Sequence, residues 1–221
     1  FRIQGYERND GSHAQFLTVQ GPQLHPKLPS LSFEEAGSYG LTLGTIHRAL
    51  YHTLDIEPNK RLFVEGASTG TGYDCLRSAV SSGLSVVGMV SNAERAARVE
   101  AVGGAAVDRK DPQWASAFTP VPDDPSQWSA WETAGASFVA ATEAAAGGSI
   151  DYVVSHAGET AFPRSFQTLG EGGVLTFYGA SSGYRFTFMG KKGSSSPSEM
   201  FTRAGLRAGQ SLLIEIGRAH V

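Results

Sequence analysis

A glycine-rich turn between an apolar run and a helix-like segment constrains the fold of this chain more than any other feature. The sequence LFVEGASTGTGYDCL, residues 62–76, places Gly66, Gly70 and Gly72 within seven positions. Glycines at this spacing let backbone N–H groups approach a pyrophosphate, and the helix that follows adds a partial positive charge. The turn therefore indicates a dinucleotide-binding fold, with an ordinary tight turn between strand and helix as the alternative.

Apolar segments typical of buried strands alternate with helix-like segments along the chain. The capping box of Ser32 and Glu35 predicts a helix that runs towards His52. Further helices are predicted near residues 72–82, 92–103, 138–146 and 160–169, and strands near 61–65, 84–91, 105–109, 150–155, 172–178 and 210–214. This alternation predicts an α/β fold with a doubly wound parallel sheet. Right-handed crossovers then bring the loops after the first, second, fourth and fifth strands to one edge, where such folds bind ligands.

Composition and charge exclude several functional classes. The formal net charge is −3 without a basic stripe, which argues against nucleic acid as a partner. No apolar run has the length that a bilayer requires, and no signal peptide is visible, so we expect no membrane partner. A single cysteine, Cys75, excludes an internal disulfide and fits a reducing compartment, so we expect a cytoplasmic protein.

Two other families with glycine-rich turns fit the sequence less well. The phosphate-binding loop of nucleotide hydrolases needs Gly-Lys where this chain has Thr71 and no lysine. The short-chain dehydrogenases share the glycine spacing, but they catalyse with a Tyr-x-x-x-Lys pair, and none of the seven tyrosines has a lysine four positions later.

In the quinone-reductase-like branch of the medium-chain reductases, the turn has the sequence motif Gly-Ala-Ser-Gly-Gly-x-Gly. Residues 66–72 differ from this motif only at Thr69. We expect the threonine to offer a hydroxyl or an amide to the pyrophosphate. The predicted pyrophosphate-binding residues are Gly66, Ala67, Ser68, Thr69, Gly70, Thr71 and Gly72.

The end of the second predicted strand bears on the choice of cofactor. NAD enzymes place an acidic residue about 20 positions after the glycine turn, where it accepts from the ribose 2′-hydroxyl. This chain has Ser91 and Asn92 there, with Arg95 nearby. A guanidinium and small hydroxyls attract a 2′-phosphate, so the sequence favours NADPH as the cofactor. The alternative is that Arg95 is an ordinary solvated helix residue.

The chain resembles crotonyl-CoA carboxylase/reductases of the medium-chain dehydrogenase/reductase superfamily from about residue 5 to residue 214. The resemblance rests on GYERNDGSHAQF, LSFEEAGSYGLTLGTIHRAL, MVSNAER, DYVVSHAGETAF and GGVLTFYGASSGY. It implies NADPH-dependent reduction of a short 2-enoyl-CoA by hydride transfer to the β-carbon. It also implies that residues 1–35 are the C-terminal piece of a β-rich GroES-like catalytic domain and that residues 36–214 are the Rossmann domain. Within the Rossmann domain, the polar and proline-rich composition of residues 109–136 predicts a surface insertion.

Three segments, GSHAQF, GPQLHPKLP and HAGETAFPRSF, resemble the reductase part of propionyl-CoA synthases more closely. That family fuses ligase, hydratase and reductase modules and reduces acryloyl-CoA. We therefore expect a fragment of a larger chain, as a homo-oligomer or as part of a multidomain fusion. Residues 215–221 resemble a translated sequencing adapter, so we expect genuine protein to stop near Ile214.

Individual residues carry further expectations from the same resemblance. Thr45 matches a threonine beside the nicotinamide, and Gly179, Ala180 and Ser181 match a loop that passes it. His156 matches the histidine that helps carboxylating relatives to hold carbon dioxide, which makes it the candidate catalytic residue.

Other positions depart from the relatives. His13 and His47 differ from the carboxylases, so simple reduction is expected rather than carboxylation. Leu41 stands where the zinc-dependent branch has a ligand cysteine, and no metal is expected. Two other functions stay open at this point: a quinone or enone oxidoreductase, and an NADPH-binding module without enzyme activity.

Overall fold

Six parallel strands form the centre of the molecule. The computed structural model describes residues 4, 8–68, 70–122, 124–159, 161–179, 181–182 and 211–214. The strands are β1 (Arg61–Val64), β2 (Ser85–Val90), β3 (Ala105–Asp108), β4 (Ile150–Ser155), β5 (Leu169–Phe177) and β6 (Ser211–Ile214). Their order is β3-β2-β1-β4-β5-β6, and every neighbouring pair is parallel. The predicted α/β fold with a parallel sheet is confirmed.

The strand order places a topological switch point between β1 and β4. From β1 the chain moves outward through β2 to β3, and it then returns to pair β4 with the other side of β1. The loops that leave β1 and β4 therefore turn away from each other. This opens a crevice at the carboxyl ends of the strands, which is where open α/β sheets bind ligands.

Helices flank the sheet in the pattern that the sequence predicts. They are α1 (Phe33–His47), α2 (Gly70–Ser81), α3 (Ala93–Glu100), α4 (Trp128–Ala146) and α5 (Phe162–Gln167). The predicted capping box is present, since the backbone N–H of Glu35 donates to Ser32 Oγ at 3.1 Å and that of Ser32 donates to Glu35 Oε2 at 2.8 Å. After α1 the helical path continues as a π-helix over Arg48–Thr53, which confirms the predicted extent towards His52.

Helix α4 begins ten residues before the predicted start at Phe138. The segment 128–136, which falls within the predicted insertion, is therefore helical. Tertiary contacts explain the early start: Trp131 is buried, and its indole N–H donates to the carbonyl of Thr119 at 2.9 Å. Trp128 likewise donates to the carbonyl of Pro122 at 2.9 Å, so both indoles tie the helix to the preceding segment.

Both faces of the sheet are buried, as the absence of alternation in the second strand predicts. One face packs against α4 and α5, in a cluster that includes Phe63, Phe138 and Phe162. The other packs against α1, α2 and α3, in a cluster that includes Leu62, Leu76 and Val99. Successive strand residues point to opposite faces, which is why Leu62 and Phe63 lie in different clusters.

The described residues before α1 form no strand of the sheet. They contain a 3₁₀ turn at Gly21–Gln23 and an isolated bridge between Gln4 and Arg8. The sequence also contains short strand-like pieces between the turn signals NDGS, QGPQ and HPKLP within residues 1–31, and these do not form strands in the described part of that range. A strand requires a partner that takes up its N–H and C=O groups, and the described residues supply none there. Among the helices of the described part, none combines the length and the apolar character that crossing a bilayer requires.

Candidate cofactor-binding site

The glycine turn leaves β1 and enters α2 with its backbone tightly folded. Gly66 and Gly70 have φ angles of 55° and 48°, in the left-handed region that glycine adopts without strain. Gly72 is buried, and a Cβ atom at this position would fall on the carbonyl oxygen of Gly66. The turn therefore depends on glycine at these positions for reasons of both conformation and space.

The imidazole of His156, just after β4, packs against this turn. A Cβ atom at Gly66 would lie 2.8 Å from His156 Cε1, and one at Gly72 would lie 2.9 Å from Nε2. The ring also stacks on Tyr178, with centroids 5.7 Å apart and planes inclined by 11°. His156 Nε2 is buried and has no hydrogen-bond partner among the described residues. The histidine is thus held between the glycine turn and the end of β5.

A cavity of about 310 Å³ opens beside this histidine, at the carboxyl ends of the strands. It is bounded by the loops that follow β1, β2, β3, β4 and β5. Its lining residues are Gly66, Ser68, Met89, Val90, Ser91, Arg95, Arg109, His156, Ala157, Ala161, Ser181 and Ser182. None of the described residues in this lining is a carboxylate, whereas two carry guanidinium groups, so the chemistry of the described lining suits an anionic ligand.

The structure brings part of the predicted site together in this cavity. The predicted residues that line it are Gly66, Ser68, Ser91, Arg95, His156 and Ser181. Seven other predicted residues are described but do not line it: Thr45, Ala67, Gly70, Thr71, Gly72, Asn92 and Gly179. Thr69 and Ala180 lie outside the described residues.

Two of the polar residues that do not line the cavity are engaged within helices. The hydroxyl of Thr45 donates to the carbonyl of Leu41 at 2.8 Å, inside α1. The side-chain oxygen of Asn92 accepts the backbone N–H of Arg95 at 2.9 Å and caps α3. A side-chain oxygen at this position satisfies one of the free N–H groups of a helix start. Asn92 therefore shapes the turn after β2 through its cap.

Two arginines form the positively charged part of the cavity. Arg95 is exposed on the first turn of α3, and its Nη1 donates to Ser91 Oγ at 2.8 Å. Arg109 follows β3 directly, and its backbone N–H donates to the carbonyl of Val90 at 3.0 Å. The sequence reasoning missed Arg109. The sequence contained one signal for it, a basic residue directly after the predicted third strand. This strand, β3, pairs with β2 so that Asp108 lies opposite Val90, and Arg109 is therefore next to the end of β2.

Hydrogen bonds join the loops after β4 and β5 at the opposite side of the cavity. The backbone N–H of Ser181 donates to the carbonyl of His156 at 3.3 Å, and that of Ser182 to the carbonyl of Ala157 at 2.9 Å. Both serine hydroxyls also donate to the Ala157 carbonyl, at 3.2 and 2.6 Å. Ala157 and Ser182 were missed because their contribution depends on this pairing of two loops.

A larger groove of about 650 Å³ lies between α1 and α2, and none of the predicted site residues that the structure describes lines it. Its walls carry Tyr39, Asp74 and Arg77, a mixed set of aromatic, acidic and basic side chains. It has neither the glycine turn nor the strand ends that the cavity has. The smaller cavity is therefore the candidate site.

Known proteins resemble this chain over most of its length. No family model matches it. The crotonyl-CoA carboxylase/reductase of Cereibacter sphaeroides is 33% identical over 193 residues, which cover 85% of this chain and 44% of that protein. The quinone oxidoreductase of Mus musculus is 28% identical over 93 residues, which cover 42% of this chain and 28% of that protein.

Solved structures agree with these relatives. The 2-octenoyl-CoA carboxylase reductase CinF, in complex with NADP and 2-octenoyl-CoA, matches with a TM-score of 0.76 and 25% identity, over 96% of this chain and 44% of that one. The chain thus spans 44% of the length of each of these two carboxylase/reductases. The resemblance that the sequence suggests is confirmed, and the chain belongs to the medium-chain dehydrogenase/reductase superfamily, on its crotonyl-CoA carboxylase/reductase-like side.

Proposed function

We propose that this chain is the cofactor-binding part of an NADPH-dependent reductase of short 2-enoyl-CoA thioesters. One observation carries the proposal: the cavity at the switch point joins the glycine turn to Arg95 and Arg109, and none of the described residues that line it is a carboxylate. An acidic residue at the end of β2 would repel a 2′-phosphate, whereas two guanidinium groups attract it. The relatives reported above support the enoyl-CoA part of the proposal.

The residues of this chain hold the cofactor in the proposed function. The glycine turn brings backbone N–H groups and the start of α2 close to a pyrophosphate. Arg95 and Arg109 bind the 2′-phosphate, and the loop at Ser181 borders the nicotinamide end. NADPH, when bound, supplies the hydride that the β-carbon of the enoyl thioester accepts.

His156 is the residue that we propose to act beside the substrate. Among the described residues of the cavity lining, it alone carries an imidazole, the side chain that enzymes use most often as a general acid or base. Its fixed contacts with Gly66 and Gly72 hold the ring in one orientation. A ring that does not reorient stabilises developing charge without the cost of rearrangement.

The finer assignment is acryloyl-CoA as substrate and a propionyl-CoA synthase as the parent protein. It rests on the segments GSHAQF, GPQLHPKLP and HAGETAFPRSF. With it we propose that the reaction proceeds without zinc and ends in protonation rather than carboxylation. We also propose a cytoplasmic location, a homo-oligomer or multidomain fusion, and the division into domains at residue 35.

Binding measurements with matched arginine variants test the cofactor assignment. We expect tighter binding of NADPH than of NADH, and we expect Arg95→Met and Arg109→Met each to weaken NADPH binding by about tenfold or more while changing NADH binding little. Arg98→Met is the control, because Arg98 lies on α3 over the ring of Tyr73 and does not line the cavity. Equal loss of NADPH and NADH affinity in the first two variants would refute the phosphate assignment.

Turnover measurements test the substrate. A protein of its relatives' full length that contains this chain is expected to oxidise NADPH with acryloyl-CoA or crotonyl-CoA. The second candidate function is quinone reduction. It is supported by the similarity of 93 residues of this chain to the mouse quinone oxidoreductase. Turnover with quinones and none with either thioester would establish that candidate instead. NADPH binding without turnover of any acceptor would indicate a binding module.

A further inference from the structure

Glu65 is a charged residue at the centre of the fold that the proposed function does not yet use. It stands between the last residue of β1 and Gly66, and its exposed fraction is 0%. Its backbone N–H donates to the carbonyl of Val154 at 3.0 Å, which continues the pairing of β1 with β4 by one bond. A buried carboxylate is costly unless hydrogen bonds compensate it, so the partners of the side chain define its role.

Those partners are backbone groups on the other side of the switch point. Glu65 Oε2 accepts the N–H of His156 at 3.1 Å and the N–H of Ala157 at 2.8 Å. The strand pairing itself ends at Val64 and Val154. Beyond that pair, the carboxylate accepts N–H groups that the backbone carbonyls of a neighbouring strand would otherwise accept. It thereby holds the loop after β4 against the end of β1. Glu65 Oε1 is buried without a partner among the described residues.

The two residues that Glu65 holds are the ones that organise the cavity. The ring of His156 packs on Gly66 and Gly72, and the carbonyls of His156 and Ala157 accept from the loop after β5. A shift of the loop after β4 would therefore move the imidazole, and with it the glycine turn and the loop after β5 that carries Ser181 and Ser182. The carboxylate of Glu65 accepts two consecutive backbone N–H groups of this loop, those of His156 and Ala157.

We propose that Glu65 is a positioning residue for the cofactor site: its carboxylate oxygen clamps the N–H groups of His156 and Ala157 and so sets the relative placement of the loops after β1, β4 and β5. The inference rests on the proposed function for its effect on NADPH. The clamp itself exists in the free protein. Its effect depends on the length of the Glu65 side chain and on the two hydrogen bonds. It does not depend on the negative charge, because a negative charge repels the phosphates of a dinucleotide and would weaken its binding.

Two substitutions separate reach from charge. Glu65→Gln keeps the length of the side chain and one oxygen acceptor but removes the charge. Glu65→Asp keeps the charge but shortens the side chain by one methylene, so that it no longer reaches both N–H groups. Thr142→Val is the control, because Thr142 is a buried hydroxyl that donates to Phe138 within α4, remote from the cavity lining.

NADPH dissociation constants and amide hydrogen exchange of residues 154–159 are measured for all four proteins. We expect Glu65→Asp to weaken NADPH binding by about tenfold and to speed exchange at His156 and Ala157. Glu65→Gln is expected to keep slow exchange and an affinity within about threefold of the original, and Thr142→Val to change neither measurement. A glutamine variant as impaired as the aspartate variant, or an aspartate variant like the original, would overturn the proposal.

The exchange measurement keeps this proposal separate from the cofactor assignment. It reports on the clamp in the free protein, so it gives a result even for a chain that binds no NADPH. Absence of NADPH binding by the original protein contradicts the proposed function. Unchanged exchange at His156 and Ala157 in Glu65→Asp contradicts the clamp.

Discussion

At the scale of single residues, the site depends on close approach more than on reactive groups. Gly66 and Gly72 leave space for each other and for His156, and two polar side chains of the cavity lining, Ser91 and Arg95, hydrogen-bond each other. The glycines and the Ser91–Arg95 pair were predictable because their signals are local in sequence. Glu65 was not, because its partners His156 and Ala157 lie 91 and 92 positions away along the chain.

Gly72→Ala is expected to distort the turn, because the added methyl group meets the Gly66 carbonyl and lies 2.9 Å from His156 Nε2. Overpacking of this kind costs about 1–3 kcal/mol of unfolding free energy. Urea denaturation measures this cost, and NADPH titration is expected to show weaker binding.

Gly44→Ala is the control for this change. Gly44 lies within α1, and a Cβ atom there has no neighbour within 4 Å. Since alanine favours helices over glycine, this variant is expected to gain up to about 1 kcal/mol. A Gly72→Ala variant as stable as Gly44→Ala would contradict the close approach.

Thr69→Gly tests the departure of this chain from the glycine-rich pattern of its relatives. Because a threonine hydroxyl is a donor that glycine lacks, we expect weaker NADPH binding by a few-fold, about 0.5–1.5 kcal/mol for one hydrogen bond. Isothermal titration of both proteins with NADPH measures the difference. Unchanged affinity would mean that Thr69 is tolerated in the turn but does not contact the pyrophosphate.

At the scale of elements, a buried arginine fastens the segment before α4 to α5. Arg164 has an exposed fraction of 1%, its Nε donates to the carbonyl of Ala117 at 2.7 Å, and its Nη2 donates to that of Trp131 at 3.1 Å. Its guanidinium also lies 3.7 Å from the centre of the Trp131 ring and donates to Gln167. The early start of α4 follows from these tertiary contacts, which no local sequence pattern reveals.

Arg164→Lys is expected to destabilise the protein although the charge is kept. Lysine lacks the planar fork that reaches the carbonyls of Ala117 and Trp131 together, so buried acceptors lose their donors. The expected loss is about 2–4 kcal/mol of unfolding free energy, measured by urea denaturation. Arg98→Lys, at an exposed position on α3, is expected to change stability by less than about 0.5 kcal/mol. Similar values for the two variants would argue against the anchoring role of Arg164.

At the scale of the whole molecule, the sheet topology was predictable because strands and helices alternate at regular spacing, whereas the cavity was predictable only in part. The cavity is assembled from loops that leave five different strands, and their contacts decide which side chains line it. Arg109 and Ser182 enter it through such contacts. A single sequence shows which loops share an edge, but it does not show which atoms meet there.

Buried neutral acids are expected to limit stability at alkaline pH. Burial raises the pKa of the Cys75 thiol far above its ordinary value of 9.0, and burial likewise raises the pKa of the Tyr178 hydroxyl far above 10.0. The folded protein therefore keeps protons that the unfolded chain releases. This contribution to stability is complete below about pH 9 and is lost as the pH rises, by about 1.4 kcal/mol per pH unit for each fully titrating group.

Urea denaturation at pH 7, 9 and 10 measures this loss. The slope of unfolding free energy against pH is expected to be shallower in Cys75→Ala, whatever its stability at pH 7. Thr142→Val is the control, because it changes a buried side chain whose hydroxyl does not ionise in this pH range, and it is expected to leave the slope unchanged. Burial lowers the pKa of Arg164 to about 10, which acts in the opposite direction but only above that pH. A slope unaffected by the Cys75 substitution would contradict the prediction.

The switch point between β1 and β4 also has a consequence for the order of folding. During synthesis, β1, β2 and β3 leave the ribosome first. Strand β4 can pair with β1 only after the intervening segment of 41 residues, 109–149, has also emerged. The glycine turn is therefore synthesised before the loop after β4, which places His156 against it. A nascent chain that ends before β4 has half of the crevice and cannot bind a ligand there. Because a ligand that binds only the completed crevice favours the native state by mass action, its binding reports that both halves of the sheet have assembled.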